Sequence, residues 1–248
     1  MPTSTVILSL FVTMSAGSAS SVRQEVGRWP ATYFGPIDTR VSAYDNPNYQ
    51  AVGEVYGDIG FCSIFLVGKH TFLSAGHCFN TSPSGGRSVK LFGFGVGQGQ
   101  LRNEFSGNLV ISGTNTANTP YGPPDMAIVK VTSAPDYLRP LKIAAQNEIY
   151  IGQPAQNVGW TGSRRKGSCT IRNIVGGYIL TDCPSDSGDS GGPLFILTKS
   201  GEWKVAGIDH SGKNGPSGEE LKGIEYSDED SEQYTNITTM GWDLVTDF

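Results

Sequence analysis

The sequence predicts an all-β fold, and three observations predict it. Glycine makes up 33 of 248 residues, nearly twice the roughly 7% usual in globular chains. Charged residues are only 17%, against roughly 25% in an average domain. Runs rich in Val, Ile, Thr, Tyr and Phe recur between Gly, Asn, Ser and Pro clusters, the pattern of short strands joined by turns. The same composition excludes other classes. A coiled coil needs abundant Ala, Glu, Lys and Leu at heptad spacing. Disorder needs low hydrophobicity and high net charge, whereas this chain is 38% hydrophobic with a formal charge of −5. That mild acidity gives no support for a nucleic-acid partner, which usually shows as a basic patch.

The chain opens with an apolar run at residues 6–14, followed by small residues at 15–21. This predicts a secretory signal peptide over 1–20, although no Lys or Arg precedes the run. The run is too short to span a bilayer, and no later segment is apolar enough, so no membrane partner is expected. Residues 21–37, with Arg23, Arg28, Trp29 and Pro30, show no period and read as a short pro-segment. Strands are expected at 62–67, 89–94, 108–112 and 126–131, then a linker near 134–146. Further strands are expected at 156–160, 174–181, 193–197 and 203–209. This spacing suggests a β sandwich or β barrel rather than βαβ units. A short terminal helix is expected near 239–245. The acidic stretch 219–232 reads as a solvated loop.

Four cysteines, Cys62, Cys78, Cys169 and Cys183, fit an oxidising compartment, with three possible connectivities. The pairs close in sequence are Cys62–Cys78 and Cys169–Cys183. No zinc-type Cys/His spacing occurs, so no metal is expected. Asn80-Thr81-Ser82 and Asn236-Ile237-Thr238 are glycosylation sequons.

Three segments carry chemistry. They are Ser74-Ala75-Gly76-His77-Cys78, Asp125-Met126-Ala127-Ile128-Val129 and Gly188-Asp189-Ser190-Gly191-Gly192-Pro193. In order they supply His, Asp and Ser. A serine hydroxyl is a weak nucleophile and needs a neighbouring base. Imidazole suits that task because its pKa lies near working pH. A buried carboxylate fixes the imidazole tautomer and stabilises the imidazolium. The attacked carbonyl becomes an oxyanion that needs preorganised donors, here expected from the N–H groups of Gly188 and Ser190. His70 lacks a motif and reads as structural.

These motifs, in this order, resemble the chymotrypsin-like (trypsin-fold) serine peptidases over about residues 38–248. The resemblance implies two six-stranded antiparallel β barrels, over 38–140 and 141–248, with the active site in the cleft between them. It implies catalytic roles for His77, Asp125 and Ser190, and a disulfide between Cys62 and Cys78 bracketing the histidine segment. Within the family, Asp38-Thr39-Arg40-Val41 ahead of Tyr49-Gln50-Ala51-Val52-Gly53-Glu54-Val55 resembles the mature start of the glutamyl endopeptidase-like branch. The short span between Asp125 and Ser190 points the same way. Asp189 and Gly192 look more like the trypsin branch. In trypsin-like relatives the residue before the nucleophile pairs with a new N-terminal ammonium. Here a cut near 36–41 would expose Ile37 or Val41; the alternative for Asp189 is a surface carboxylate. The same segment also satisfies Gly-x-Ser-x-Gly, the nucleophile elbow of α/β hydrolases. That fold needs Asp and His after the serine among periodic helices, and helix-length periodic segments are scarce here.

By resemblance the specificity pocket is walled by 184–187, 207–212 and the stretch before Tyr234-Thr235. The family's usual aspartate for basic side chains would fall near Pro184, so trypsin-type recognition through that position is absent, and Ser185 is a polar wall residue. His210 resembles the histidine that binds acidic side chains in glutamyl endopeptidases. It stands one place later, where strict strand alternation turns it to the other face. Against that reading, Asp209 and Glu232 in the pocket would repel an acidic substrate and favour Lys or Arg. The expected function is a secreted, monomeric serine endopeptidase that takes protein or peptide substrates and needs no cofactor. An activating protease is an expected partner. The alternative is a catalytically silent protease fold that binds a partner.

Overall fold

The computed structural model describes residues 32–34, 39–58, 60–79, 87–95, 104–113, 125–160, 162–175, 178–212, 221–224 and 236–239. The expected signal peptide, Asn80, Glu232 and the helix after Thr239 lie outside these residues, as do most of the pro-segment and of the acidic stretch. Among the described residues no helix is long and apolar enough to cross a membrane.

The first half holds β1 (Thr32–Phe34), β2 (Val41–Ser42), β3 (Val52–Gly57), β4 (Gly60–Gly68), β5 (Thr71–Ser74), β6 (Arg87–Phe92), β7 (Glu104–Gly113) and β8 (Met126–Lys130). Strands β3-β4-β5-β8-β7-β6 close a six-stranded barrel in that order. Val52, Val55, Ile64, Leu66, Phe72, Leu73, Leu91, Leu109 and Ile128 belong to the buried core packed within and against it. Phe72, Phe94 and Phe105 pack together in it, with ring centroids 5.1–5.6 Å apart, the spacing at which edge-to-face rings attract.

The second half holds β9 (Pro154–Trp160), β10 (Arg164–Val175), β11 (Tyr178–Thr181), β12 (Pro193–Leu197), β13 (Trp203–Gly212), β14 (Leu221–Ile224) and β15 (Asn236–Thr239). The order β11-β15-β13-β12-β9-β10, with β10 also paired to β11, closes a second ring of six. β2 adds to its outside on β10, and β1 and β14 form a separate parallel pair. Closure removes free sheet edges, which otherwise invite aggregation. Ile171, Ile179, Leu194, Ile196 and Ala206 fill this second core.

The fold is all-β with two barrels, as expected. The elements differ in detail. β3 and β5 were not anticipated: β3 carries Glu54, buried at 3% exposure, and β5 is only four residues long. The stretch 174–181 is not one strand. It is the end of β10 and all of β11, paired antiparallel with Val175 opposite Tyr178. Most of β10 also escapes the hydrophobic pattern, because Arg164, Arg165, Lys166 and Gly167 lead it. The expected linker is pinned rather than loose. The Leu141 N–H donates to the Leu66 carbonyl on the first barrel, and the Ala144 N–H donates to Val205 on the second.

Arg164 joins the barrels. It is 1% exposed, its Nε donates to the Val52 carbonyl at 3.0 Å and its Nη2 to Gly93 at 2.8 Å. Its guanidinium lies over the Trp160 and Tyr44 rings, 5.3 and 5.4 Å from their centroids. No carboxylate pairs with it among the described residues. Burial pulls its pKa down to about 10, still protonated at neutral pH.

Candidate active site

His77 sits on a short 3-10 turn, Gly76–Phe79, directly after β5. Asp125 immediately precedes β8. Strands β5 and β8 pair antiparallel with Ser74 opposite Ala127. Carrying that register past the strand ends brings the His77 turn to Asp125. The Asp125 carboxylate is fully buried. Its Oδ1 accepts the His77 backbone N–H at 2.6 Å, and its Oδ2 meets His77 Nδ1. The histidine side chain keeps 19% exposure. The Cys62–Cys78 disulfide ties the turn to β4. Cys62, Cys78 and His77 bring ligand-type atoms within 4.8 Å of one another, but both sulfurs are held in that disulfide.

Ser190 lies in the turn between β11 and β12. The Cys169–Cys183 disulfide anchors the approach to that turn on β10. Thus the two pairs close in sequence are the two that form. Hydrogen bonding through 186–192 has a clear pattern. The Asp186 N–H donates to the Asp189 carboxylate, Ser187 to Asp186 Oδ1, and Asp189 to the Asp186 carbonyl. The Gly191 N–H donates to Asp209 and Gly192 to Asp189, at 2.7 and 2.8 Å. Within that run, the Gly188 and Ser190 N–H groups are the two with no acceptor among the described residues. Gly188 has φ +98° and Gly191 φ +85°, a region that side chains other than glycine rarely adopt.

The serine turn is docked onto the first barrel. The Ser63 N–H donates to the Ser190 carbonyl at 2.8 Å, and Ser63 Oγ donates to the Gly188 carbonyl at 2.6 Å. Ser63 Oγ also accepts the Trp160 backbone N–H, and the Ser63 carbonyl accepts the Ser74 hydroxyl. A Cβ at Gly191 would overlap the Ser63 carbonyl and the Ser74 hydroxyl. The turn therefore lies against the strand end that leads into His77. Ser63 carried no motif and was not anticipated. Ser63→Ala is expected to destabilise the fold by about 1–3 kcal/mol, because the buried Trp160 backbone N–H loses its acceptor. Urea denaturation checks this, and a loss below 0.5 kcal/mol contradicts the hub.

Asp189 is not a surface carboxylate. It is buried and bonded to Arg40, whose Nη1 lies 2.5 Å from Oδ2 and whose Nη2 lies 3.1 Å from Asp186. In the intact chain a guanidinium, not an N-terminal ammonium, is its cation. Burial pushes the Asp189 carboxyl up to about 7 against the pull of Arg40, with the Asp209 charge adding to the rise. Nothing in the sequence around Arg40 marks it for this role, because its partners lie far along the chain.

The pocket residues divide. Asp209 is buried on β13. Its Oδ2 accepts the Ser185 hydroxyl at 3.0 Å and the Asn157 amide at 3.4 Å. His210 follows it in β13, and its side chain lies outside the described residues. The β13–β15 register shifts between Asp209 and Ser211, which marks a β-bulge at His210.

The trypsin family model matches residues 38–227. The chain belongs to the trypsin family. That membership makes it a serine-type peptidase domain, a hydrolase for protein or peptide substrates. Comparison with curated proteins returned no relative. The match covers both trypsin-fold barrels up to residue 227 and all three motif segments.

Proposed function

We propose that this chain is a secreted serine endopeptidase that works through an acyl-enzyme at Ser190. One observation carries the reading: in a turn whose other N–H groups are all bonded, Gly188 and Ser190 keep theirs for an incoming oxygen. His77 Nε2 takes the Ser190 proton as Oγ attacks the substrate carbonyl carbon. The carbonyl oxygen becomes an oxyanion, held by the two N–H donors. Collapse breaks the C–N bond, and His77 returns the proton to the leaving amine. Water, deprotonated by His77, then hydrolyses the ester. Asp125 holds the imidazole with its Nδ1 proton inward. The apolar leader over 1–20 and the two disulfides support secretion. Residues 21–37 are the pro-segment of this reading, with barrels over 38–140 and 141–248, and the enzyme acts as a monomer.

Primary specificity is for acidic residues, bound by His210 beside Ser185. The bulge supports it: an extra residue interrupts strand alternation, so the one-place offset of His210 does not count against it. A second reading, cleavage after Lys or Arg, is favoured by the buried Asp209 carboxylate bonded to Ser185, with Glu232 as a further acid.

The test is digestion of a mixed peptide library by the purified protein beside Ser190→Ala, read by mass spectrometry. Cuts after Glu or Asp that vanish in the variant are expected. Cuts after Lys or Arg would put Asp209 in the pocket instead. No cuts with the wild-type protein, together with no covalent labelling by a fluorophosphonate, would leave a silent binding fold.

A further inference from the structure

The Arg40 side chain is 1% exposed and the Asp189 side chain 3%. This buried ion pair ties Arg40 to Asp189, 149 residues away within the serine motif, and the proposed mechanism does not use it. It holds two carboxylates at once. Nη1 grips Asp189 and Nη2 grips Asp186. Those two acids bracket Gly188, and they are also bonded to each other. The Asp186 N–H donates to the Asp189 carboxylate at 2.9 Å, and the Asp189 N–H donates to the Asp186 carbonyl at 3.0 Å. The guanidinium therefore closes the turn that aims the Gly188 and Ser190 donors. A planar fork with fixed donors suits such a two-carboxylate grip.

The backbone that carries Arg40 is itself stitched down. The Arg165 Nη2 donates to the Arg40 carbonyl at 2.7 Å, Val41 pairs with Lys166, and the Ala43 N–H donates to Arg164. On the far side, the other Asp189 oxygen packs against the Cα of Gly159, where a Cβ would overlap it. The carboxylate is thus fixed between a backbone wall and an internal cation. By sequence, Arg40-Val41 is a bond a Lys/Arg-directed protease would cut. In the fold its side chain is buried in the ion pair and not available to another enzyme's pocket.

We propose that Arg40 is a positioning residue for the oxyanion turn: its grip on Asp189 and Asp186 holds residues 186–192 in the donor-presenting conformation in the uncut chain, so turnover needs no new N-terminus at 36–41. This rests on the peptidase reading above. Any pro-segment removal then leaves Arg40 in the chain and is not what forms the turn or opens the site.

The experiment uses the secreted full chain, with intact mass spectrometry to establish that residues 36–41 remain joined. A fluorophosphonate probe reports Ser190, and kcat and KM are measured on a peptide that the library shows to be cut. The uncut protein is expected to label and turn over. Arg40→Ala is expected to lose about 10²–10³-fold in kcat, the scale of losing one oxyanion donor, with KM moved less than threefold. Arg40→Lys, which restores a cation without the fork, is expected to recover at least tenfold of that loss. Labelling confined to chains cut within 36–41 overturns the inference and leaves the peptidase reading standing. So does an Arg40→Ala enzyme with kcat within threefold of wild type. If neither cut nor uncut protein labels, the peptidase reading fails and this inference with it. Should Arg40→Ala not fold, as judged by its thermal melt, labelling of the uncut wild type decides: label supports, silence overturns.

Discussion

Asp125→Asn is expected to lower kcat by about 10⁴-fold, the scale this change has in a Ser-His-Asp triad, with the fold intact. The reason lies in the two contacts of one carboxylate. Oδ1 accepts the His77 backbone N–H and Oδ2 meets Nδ1. A backbone N–H can only donate, so in the variant the amide oxygen must face it. The amide NH₂ then faces Nδ1, which must accept. The imidazole proton is forced onto Nε2, the nitrogen that takes the Ser190 proton in the proposed mechanism. The base is present but in the wrong tautomer. Because the amide matches the carboxylate in shape, the thermal midpoint is expected to shift little. A kcat within tenfold of wild type, measured on a folded variant, would remove Asp125 from the mechanism.

The second large effect is on stability. Arg164→Ala is expected to destabilise the protein by about 3–5 kcal/mol, from a large cavity and two carbonyls losing a charged donor. That is a large share of the roughly 5–15 kcal/mol of a typical domain. Arg164→Met fills much of the space and removes a cation that is costly to bury, and about 1–3 kcal/mol is expected for it. The difference separates packing from hydrogen bonding at the junction of the barrels. Guanidinium denaturation of both variants checks it, and an Arg164→Ala protein as stable as wild type would show that the barrels do not depend on this clamp.

Much of the candidate site was legible because its chemistry needs particular residue types in short runs. The His77, Asp125 and Ser190 segments each carry their own signature, and glycines at 188 and 191 mark a turn that other residues avoid. The all-β class was legible for a related reason, since strand propensity and turn residues are local. The missed pieces are those whose partners are distant. Strand β10 begins with Arg-Arg-Lys-Gly and looks like a loop until β9, β11 and β2 supply its pairs. Ser63 looks like any strand serine until β4 lies against the Ser190 turn. Glu54 makes β3 look half-exposed, yet the residue is buried.

The sequence alone determined the class of fold, the three motif segments and the pairs of cysteines that lie close along the chain. It did so because hydrophobic alternation, turn chemistry and motif spacing act over a few residues. Tertiary structure alone decided which charges meet. Arg40 and Asp189 are 149 residues apart, and both are common surface residue types. Only closure of both barrels brings the guanidinium under the Ser190 turn. Once there, burial makes the pairing obligatory, because a lone charge inside the protein would be far more costly than the pair.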